Sequence, residues 1–85
     1  MSKPQTKATI ADGTLAIIRE FLGVQTVELD SKLKDGLCDS LDLVEIAMAL
    51  EDEFHLLVMP DAVVEAASTP QDFANSIAEI LGVTE

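Results

Sequence analysis

The sequence predicts an all-α fold, a small bundle of three longer helices and one short helix. Apolar residues recur with helical spacing, helix start and stop signals separate the periodic segments, and no segment alternates as a strand would. The 85 residues make one domain, too small to pair a catalytic domain with a cofactor-binding one. We expect a flexible N-terminus at residues 1–8 and the folded domain at residues 9–85.

The first helix is predicted over residues 10–22, with Gly23 as its C-terminal stop. Gly13 should weaken its first turns by up to about 1 kcal/mol relative to Ala. A long loop over residues 24–38 follows, and apolar anchors should hold it on the bundle. The expected inward residues of the helix are Ile10, Ala11, Leu15, Ile18, Phe21 and Leu22, and those of the loop are Val27, Leu29, Leu33 and Leu37.

The second helix is predicted to begin at Asp39 or Ser40 and to end near Phe54. Asp39 suits the N-cap position, and Asp42 in the first turn complements the helix dipole. One face of this helix is acidic and the other is apolar, as expected of a helix on a bundle surface. The predicted buried stripe comprises Val44, Ile46, Ala47, Leu50 and Phe54.

Two helices are predicted after this point. Pro60 and Asp61 introduce a short one over residues 62–67. The last helix has the clearest signals, because a capping hydroxyl precedes Pro70 at the first helical position and Gly82 ends the periodic segment. The predicted inward face of the last helix comprises Phe73, Ile77, Ile80 and Leu81.

Charge is distributed very unevenly along the chain. All five basic residues lie within the first 34 positions, whereas twelve of the 16 acidic residues lie from position 35 onward, and the formal net charge is −11. Such an acidic region repels nucleic acid. It attracts proteins that carry basic docking patches, over about 8 to 10 Å at ordinary salt.

No stretch approaches the roughly 20 apolar residues of a membrane span, so we expect a soluble, cytoplasmic protein.

Ser40 is the candidate functional residue. A hydroxyl at a helix start suits a phosphodiester, because unpaired backbone N–H groups and the positive end of the dipole both favour a phosphate there. The same residues fit a purely structural interpretation, in which Asp39 and Ser40 only cap the helix. A catalytic role is not expected, because the one histidine, His55, would lie about 22 Å away along the helix. The acids at 51–53 lack a calcium-loop pattern, so no metal site is expected.

The segment around Ser40 resembles the acyl carrier proteins, a family of small acidic four-helix domains. The resemblance rests on Asp-Ser-Leu-Asp at 39–42 together with the residues at 44–46, 48–54 and 59–61, and it covers roughly residues 9 to 82. It implies that Ser40, next to Asp39, carries a covalent 4′-phosphopantetheine arm. The thiol of that arm would hold acyl or aminoacyl groups as thioesters, without catalysis by the bundle itself.

The resemblance also implies partners. A phosphopantetheinyl transferase would attach the arm, and loading and transfer enzymes with basic docking patches would use it in fatty acid, polyketide or related biosynthesis. The protein is expected to be a monomer that binds neither nucleic acid nor membrane. The alternative is an acidic helical protein-interaction module without a prosthetic group. The predicted docking residues on the second helix are Leu41, Asp42, Glu45, Met48, Glu51 and Asp52.

Two segments depart from the usual family pattern. Gly36 and Leu37 stand in inverted order before the helix, which is expected to reshape the approach to the arm. The segment at 55–59 is longer and more apolar than usual, which is expected to enlarge the core or widen an acyl pocket.

Cys38 is expected to be a small apolar filler under the loop. If its sulfur is accessible, Asp39 and Asp42 should disfavour the thiolate, and the arm's own thiol should be able to reach it.

Overall fold

A computed structural model describes residues 5–56 and 58–84 of the chain. Four helices and no strand occur in these residues, which confirms the predicted all-α bundle: α1 (Lys7–Leu22), α2 (Ser40–Phe54), α3 (Asp61–Ala66) and α4 (Pro70–Leu81). Part of the expected flexible N-terminus, residues 1–4, lies outside the described residues, and α1 includes residues 7 and 8. The domain boundary at residue 9 stays a prediction. Within the described part of the chain, no helix is long and apolar enough to cross a membrane.

Short-range hydrogen bonds fix the ends of the three longer helices. At the start of α1 the Thr6 side chain accepts from the backbone N–H of Thr9, whose side chain in turn accepts from Thr6. The start of α4 has the same reciprocal arrangement between Thr69 and Asp72. The C-caps Gly23 and Gly82 are left-handed, at φ 69° and 73°, as their sequence positions predict.

The core lies where α1, α2 and α4 meet. α1 packs most extensively against α4 and also contacts α2, while α3 packs against α2 and α4. The loop between α1 and α2 contributes two buried anchors, Val27 and Leu33, as predicted. The largest fully buried side chains are Phe73, Ile10, Ile18, Leu33, Ile46, Leu50, Ile77, Thr14 and Pro70.

Several residues that were predicted to face inward are exposed instead. Leu43 is buried in place of Val44, which lies about 100° further around α2 and is exposed. On α4 the small residues Ala74 and Ala78 are buried, whereas the predicted Ile80 and Leu81 are partly exposed at the helix end. Two more predicted inward residues, Phe21 of α1 and Leu37 of the loop, are also partly exposed.

Gly13 allows a close approach between α1 and α2. A Cβ atom at this position would lie 3.0 Å from Cζ of Phe54, closer than ordinary van der Waals contact. The sequence predicts only that Gly13 weakens the first turns of α1, but the structure shows that its missing side chain makes space for the aromatic ring. Replacement by a larger residue would therefore force the ring, or the helix pair, to move.

Thr14 carries a buried polar group that the core does not satisfy. The residue is fully buried in the middle of α1, and its hydroxyl has no hydrogen-bond partner among the described residues. A buried hydroxyl without a partner costs roughly 1 to 3 kcal/mol of stability. Neither periodicity nor composition singles out this position.

We predict that Thr14→Val raises the free energy of unfolding by about 1 kcal/mol, because valine has nearly the same shape and removes the desolvated hydroxyl. Urea denaturation followed by circular dichroism measures the change. Thr14→Ser is the matched control, since it keeps the hydroxyl and removes a packed methyl group, and it should destabilise the protein. Equal or lower stability of the valine variant would contradict the assignment of an unsatisfied hydroxyl.

Candidate functional site

The position of Ser40 is fixed by a reciprocal pair of hydrogen bonds at the start of α2. The N–H of Asp42 donates to Oδ1 of Asp39 at 2.9 Å, and the N–H of Asp39 donates to Oδ2 of Asp42 at 3.1 Å. The Asp39 carbonyl accepts the first helical hydrogen bond, from Leu43, at 3.1 Å. Asp39 is therefore the N-cap, as predicted, and Ser40 is the first helical residue.

The surroundings of Ser40 fit a covalently attached phosphodiester. Ser40 is exposed, and no described residue accepts a hydrogen bond from its backbone N–H or from that of Leu41. Free N–H groups at the positive end of a 15-residue helix are suited to phosphate oxygens. The carboxylates of Asp39 and Asp42 are engaged with each other's backbone, which leaves the hydroxyl accessible.

The loop that leads to Ser40 is held from two sides. Leu33 is fully buried, and its N–H donates to the Ser68 carbonyl at 2.8 Å. The Leu33 carbonyl accepts from the N–H of Cys38 at 2.7 Å, which closes a compact turn through Gly36. Gly36 adopts φ 93°, a conformation that favours glycine over other residues. The inverted Gly36 and Leu37 thus belong to a turn that depends on glycine at its present position.

Cys38 lies buried beneath this turn, as expected of a small apolar filler. Burial raises the pKa of its thiol above the ordinary value of 9.0, and the nearby carboxylates of Asp42 and Asp39 raise it further. A buried, protonated thiol is a poor nucleophile, so Cys38 does not have the features of a reactive cysteine.

An apolar groove runs between α2 and α3 away from Ser40. Its first part, of about 320 Å³, is lined by Ser40, Leu43, Val44 and Val64, with Lys34 and Glu65 at its edge. A second part, of about 350 Å³, shares Val44 and Val64 with the first. Sequence reasoning missed this groove because it placed Val44 in the core. The second part is further lined by Ala47, Met48, Glu51, Val58, Met59, Pro60 and Asp61.

The exposed face of α2 brings most of the predicted docking residues together. Leu41 is 66 % exposed and Met48 is 61 % exposed, and they are two turns apart on the same helix face. Val58, which is 67 % exposed in the segment after α2, lies beside Met48 along the groove. The acidic residues Glu45 and Asp52 are exposed on the same helix. The result is an apolar strip flanked by acids.

Like Asp42, Glu51 uses its carboxylate within the fold. Its side chain is partly buried, and Oε2 accepts a hydrogen bond from the backbone N–H of Met59 at 2.5 Å. The carboxylate therefore holds the segment between α2 and α3, in which Met59 is buried and Val58 is exposed. Leu57 of this segment lies outside the described residues. The described apolar residues of this stretch, Leu56, Val58 and Met59, thus contribute to the core or to the groove.

The other candidates for chemistry are not assembled into a site. His55 is the C-cap of α2 and is exposed, with a left-handed φ of 56°, so it lies at the opposite end of the helix from Ser40. Over residues 5–56 and 58–84, no three His, Cys, Asp or Glu side chains form a group that could hold a metal ion.

Comparison with known proteins defines the family. Residues 12–77 match the profile of the family described as "PP-binding: Phosphopantetheine attachment site". An acyl carrier protein of Clostridium acetobutylicum is 44 % identical over 64 residues, which are 72 % of this chain and 82 % of that protein. Acyl carrier protein 1, chloroplastic, of Hordeum vulgare is 36 % identical over 84 residues, which are 95 % of this chain. This chain belongs to the acyl carrier protein family.

The cofactor of this acyl carrier protein is phosphopantetheine, as the resemblance implied. Ser40 and the six predicted docking residues all lie within the matched region. The Hordeum vulgare protein is longer, and the matched part spans only 56 % of its length.

We predict that Cys38 reacts slowly with iodoacetamide, because its raised pKa keeps the thiolate scarce near neutral pH. At pH 8 the apo protein should be alkylated at least about tenfold more slowly than the same chain unfolded in urea. The rate in the folded protein should keep rising as the pH increases beyond 9.0, where an ordinary thiol is already half ionised. Mass spectrometry of timed samples measures both rates, and equal rates in the folded and unfolded chain would contradict the burial argument.

Proposed function

We propose that Ser40 is the residue that receives the phosphopantetheine arm and that the protein is a non-catalytic carrier of acyl or aminoacyl groups. The observation that carries the proposal is the exposed Ser40 hydroxyl beside two free backbone N–H groups at the start of α2. Asp39 supports the site by capping the helix, which fixes the hydroxyl at the first helical position. The bound arm supplies a thiol on which a carboxylic acid is held as a thioester.

The protein itself presents the tethered intermediate to partner enzymes and buries its acyl chain. A tethered intermediate meets each partner active site at a high effective concentration. The groove between α2 and α3 begins at Ser40 and is lined mainly by aliphatic side chains. Such a groove suits an apolar acyl chain, because its burial removes hydrocarbon from water at about 25 cal/mol per Å².

The exposed face of α2 is proposed to dock the partner enzymes. Leu41 and Met48 provide apolar contact, and the acids Asp42, Glu45 and Asp52 provide attraction to basic patches. Glu51 is proposed to act mainly through its hydrogen bond to Met59, which holds one wall of the groove. The partners are a phosphopantetheinyl transferase and the enzymes that load and transfer the acyl group. The relatives' names support a role in acyl metabolism, and we propose fatty acid, polyketide or related biosynthesis.

We predict that co-expression with a broad-specificity phosphopantetheinyl transferase adds one arm to the wild-type protein and none to Ser40→Ala. Intact mass and peptide mapping measure the modification. Ser40→Ala should keep its helical circular dichroism, because Asp39 rather than Ser40 caps α2. Ser76, which is partly exposed on α4, is the matched control, and Ser76→Ala should be modified as the wild type is.

The outcomes separate this function from its rival. An arm on another serine would overturn the assignment of Ser40. Complete absence of the arm with every transferase tried would favour the alternative, an acidic helical interaction module without a prosthetic group.

We predict that Glu45→Lys and Asp52→Lys slow modification by about threefold to tenfold at low salt, mainly through the association rate. The effect should shrink as salt is added, because exposed charges are screened. Glu79→Lys is the matched control, since it reverses an exposed acid on α4 rather than on α2. Rates that are the same in all three variants, or a loss insensitive to salt, would contradict docking by α2.

A further inference from the structure

Lys34 makes a contact that neither family membership nor capping of α2 requires. Its ammonium group donates a hydrogen bond to the backbone carbonyl of Glu65 at 2.5 Å, across 31 positions of sequence. Both residues line the part of the groove that Ser40 and Val64 also line. The side chain therefore spans the groove next to the proposed attachment residue.

The Glu65 carbonyl, to which Lys34 donates, lies at the C-terminal end of α3, a helix with few stabilising interactions. α3 has only six residues, its N-cap Pro60 makes no side-chain hydrogen bond, and Val64 is its one buried residue. Glu65 lies in the last turn, where helix carbonyls lack intrahelical partners. No other described residue donates a hydrogen bond to the Glu65 carbonyl. Lys34 thus stabilises the C-terminal end of α3, as a cation at that position can.

Lys34 is also distinguished by its positive charge, because the residues around it are mainly acidic or apolar. No Lys or Arg follows Lys34 in the chain, and it is the one cationic residue that lines the groove with Ser40. Acidic residues Asp35, Asp39 and Asp42 lie on both sides of the attachment serine in sequence. A phosphodiester on Ser40 adds a further negative charge here. An ammonium group is attracted to a phosphate oxygen by a full negative charge, whereas a carbonyl oxygen carries only a partial one.

We propose that Lys34 couples the state of the arm to α3. Without the arm its ammonium group binds the Glu65 carbonyl and holds α3 against the loop. When Ser40 bears the phosphodiester, the ammonium group binds the phosphate instead, which releases the end of α3 and loosens one wall of the groove. The inference rests on the proposed function of Ser40, because it needs the phosphate at that residue.

The test compares apo and holo protein in the wild type, Lys34→Gln and Lys32→Gln. Intact mass first verifies that each holo sample carries one arm on Ser40. Hydrogen exchange then reports on α3 through the amide of Ala67, which bonds to carbonyls of Val63 and Val64. The ³¹P resonance of the phosphodiester reports on the phosphate directly. Lys32→Gln is the matched control, because it removes the same charge two positions away from a side chain that makes no hydrogen bond to Glu65.

In the wild type and in Lys32→Gln, the Ala67 amide should exchange about threefold faster in the holo than in the apo form. In Lys34→Gln both forms should exchange at the faster rate, and the ³¹P resonance should move from its wild-type position. Lys34→Arg should retain the apo–holo difference, because it keeps a cation of similar reach. An apo–holo difference that persists in Lys34→Gln, or is absent in the wild type, would overturn the coupling, as would an unchanged ³¹P resonance. Failure of modification at Ser40 would instead overturn the proposed function.

Discussion

The two hydrogen bonds between Asp39 and Asp42 determine the geometry on which the rest of the site depends. They fix the first turn of α2 and therefore place Ser40 and Leu41 at its exposed start. If α2 began one residue later, Ser40 rather than Asp39 would occupy the N-cap position. The proposed attachment residue would then lose its place in the first helical turn. Both carboxylates perform this role without leaving the surface.

The sequence predicted most helix ends better than the helix faces, although α1 begins at Lys7, three residues before its predicted start. Caps are local, so Asp39, Thr69 with Pro70, Gly23 and Gly82 could be inferred from adjacent residues. Which residues turn inward depends on how the helices cross, and that is not encoded in any one segment. The misplaced helical residues therefore lie at the edge of a stripe or near a helix end: Val44, Ile80, Leu81 and Phe21. Leu37, which is also misplaced, lies in the turn before α2.

The candidate site was predictable to the same degree. Ser40 and its cap follow from a short motif, and the exposed Leu41 and Met48 follow from helical spacing around that motif. The hydrogen bonds from Met59 to Glu51 and from Lys34 to Glu65 join residues eight and 31 positions apart. They depend on the path of two loops, which periodicity does not describe. The carboxylate of Glu51 thus has a structural role that its position in the sequence does not reveal, and Lys34 makes a contact across the groove.

The contact between Gly13 and Phe54 couples two positions that are far apart in sequence. Because a Cβ atom at position 13 would lie only 3.0 Å from the ring, any side chain there competes for the space that the aromatic ring fills. A larger residue at 13 requires the ring of Phe54 to shift or to be replaced by a smaller side chain, and a smaller residue at 54 alone leaves a void. In related chains that keep this crossing of α1 and α2, a larger residue at position 13 should therefore be accompanied by a smaller residue at position 54.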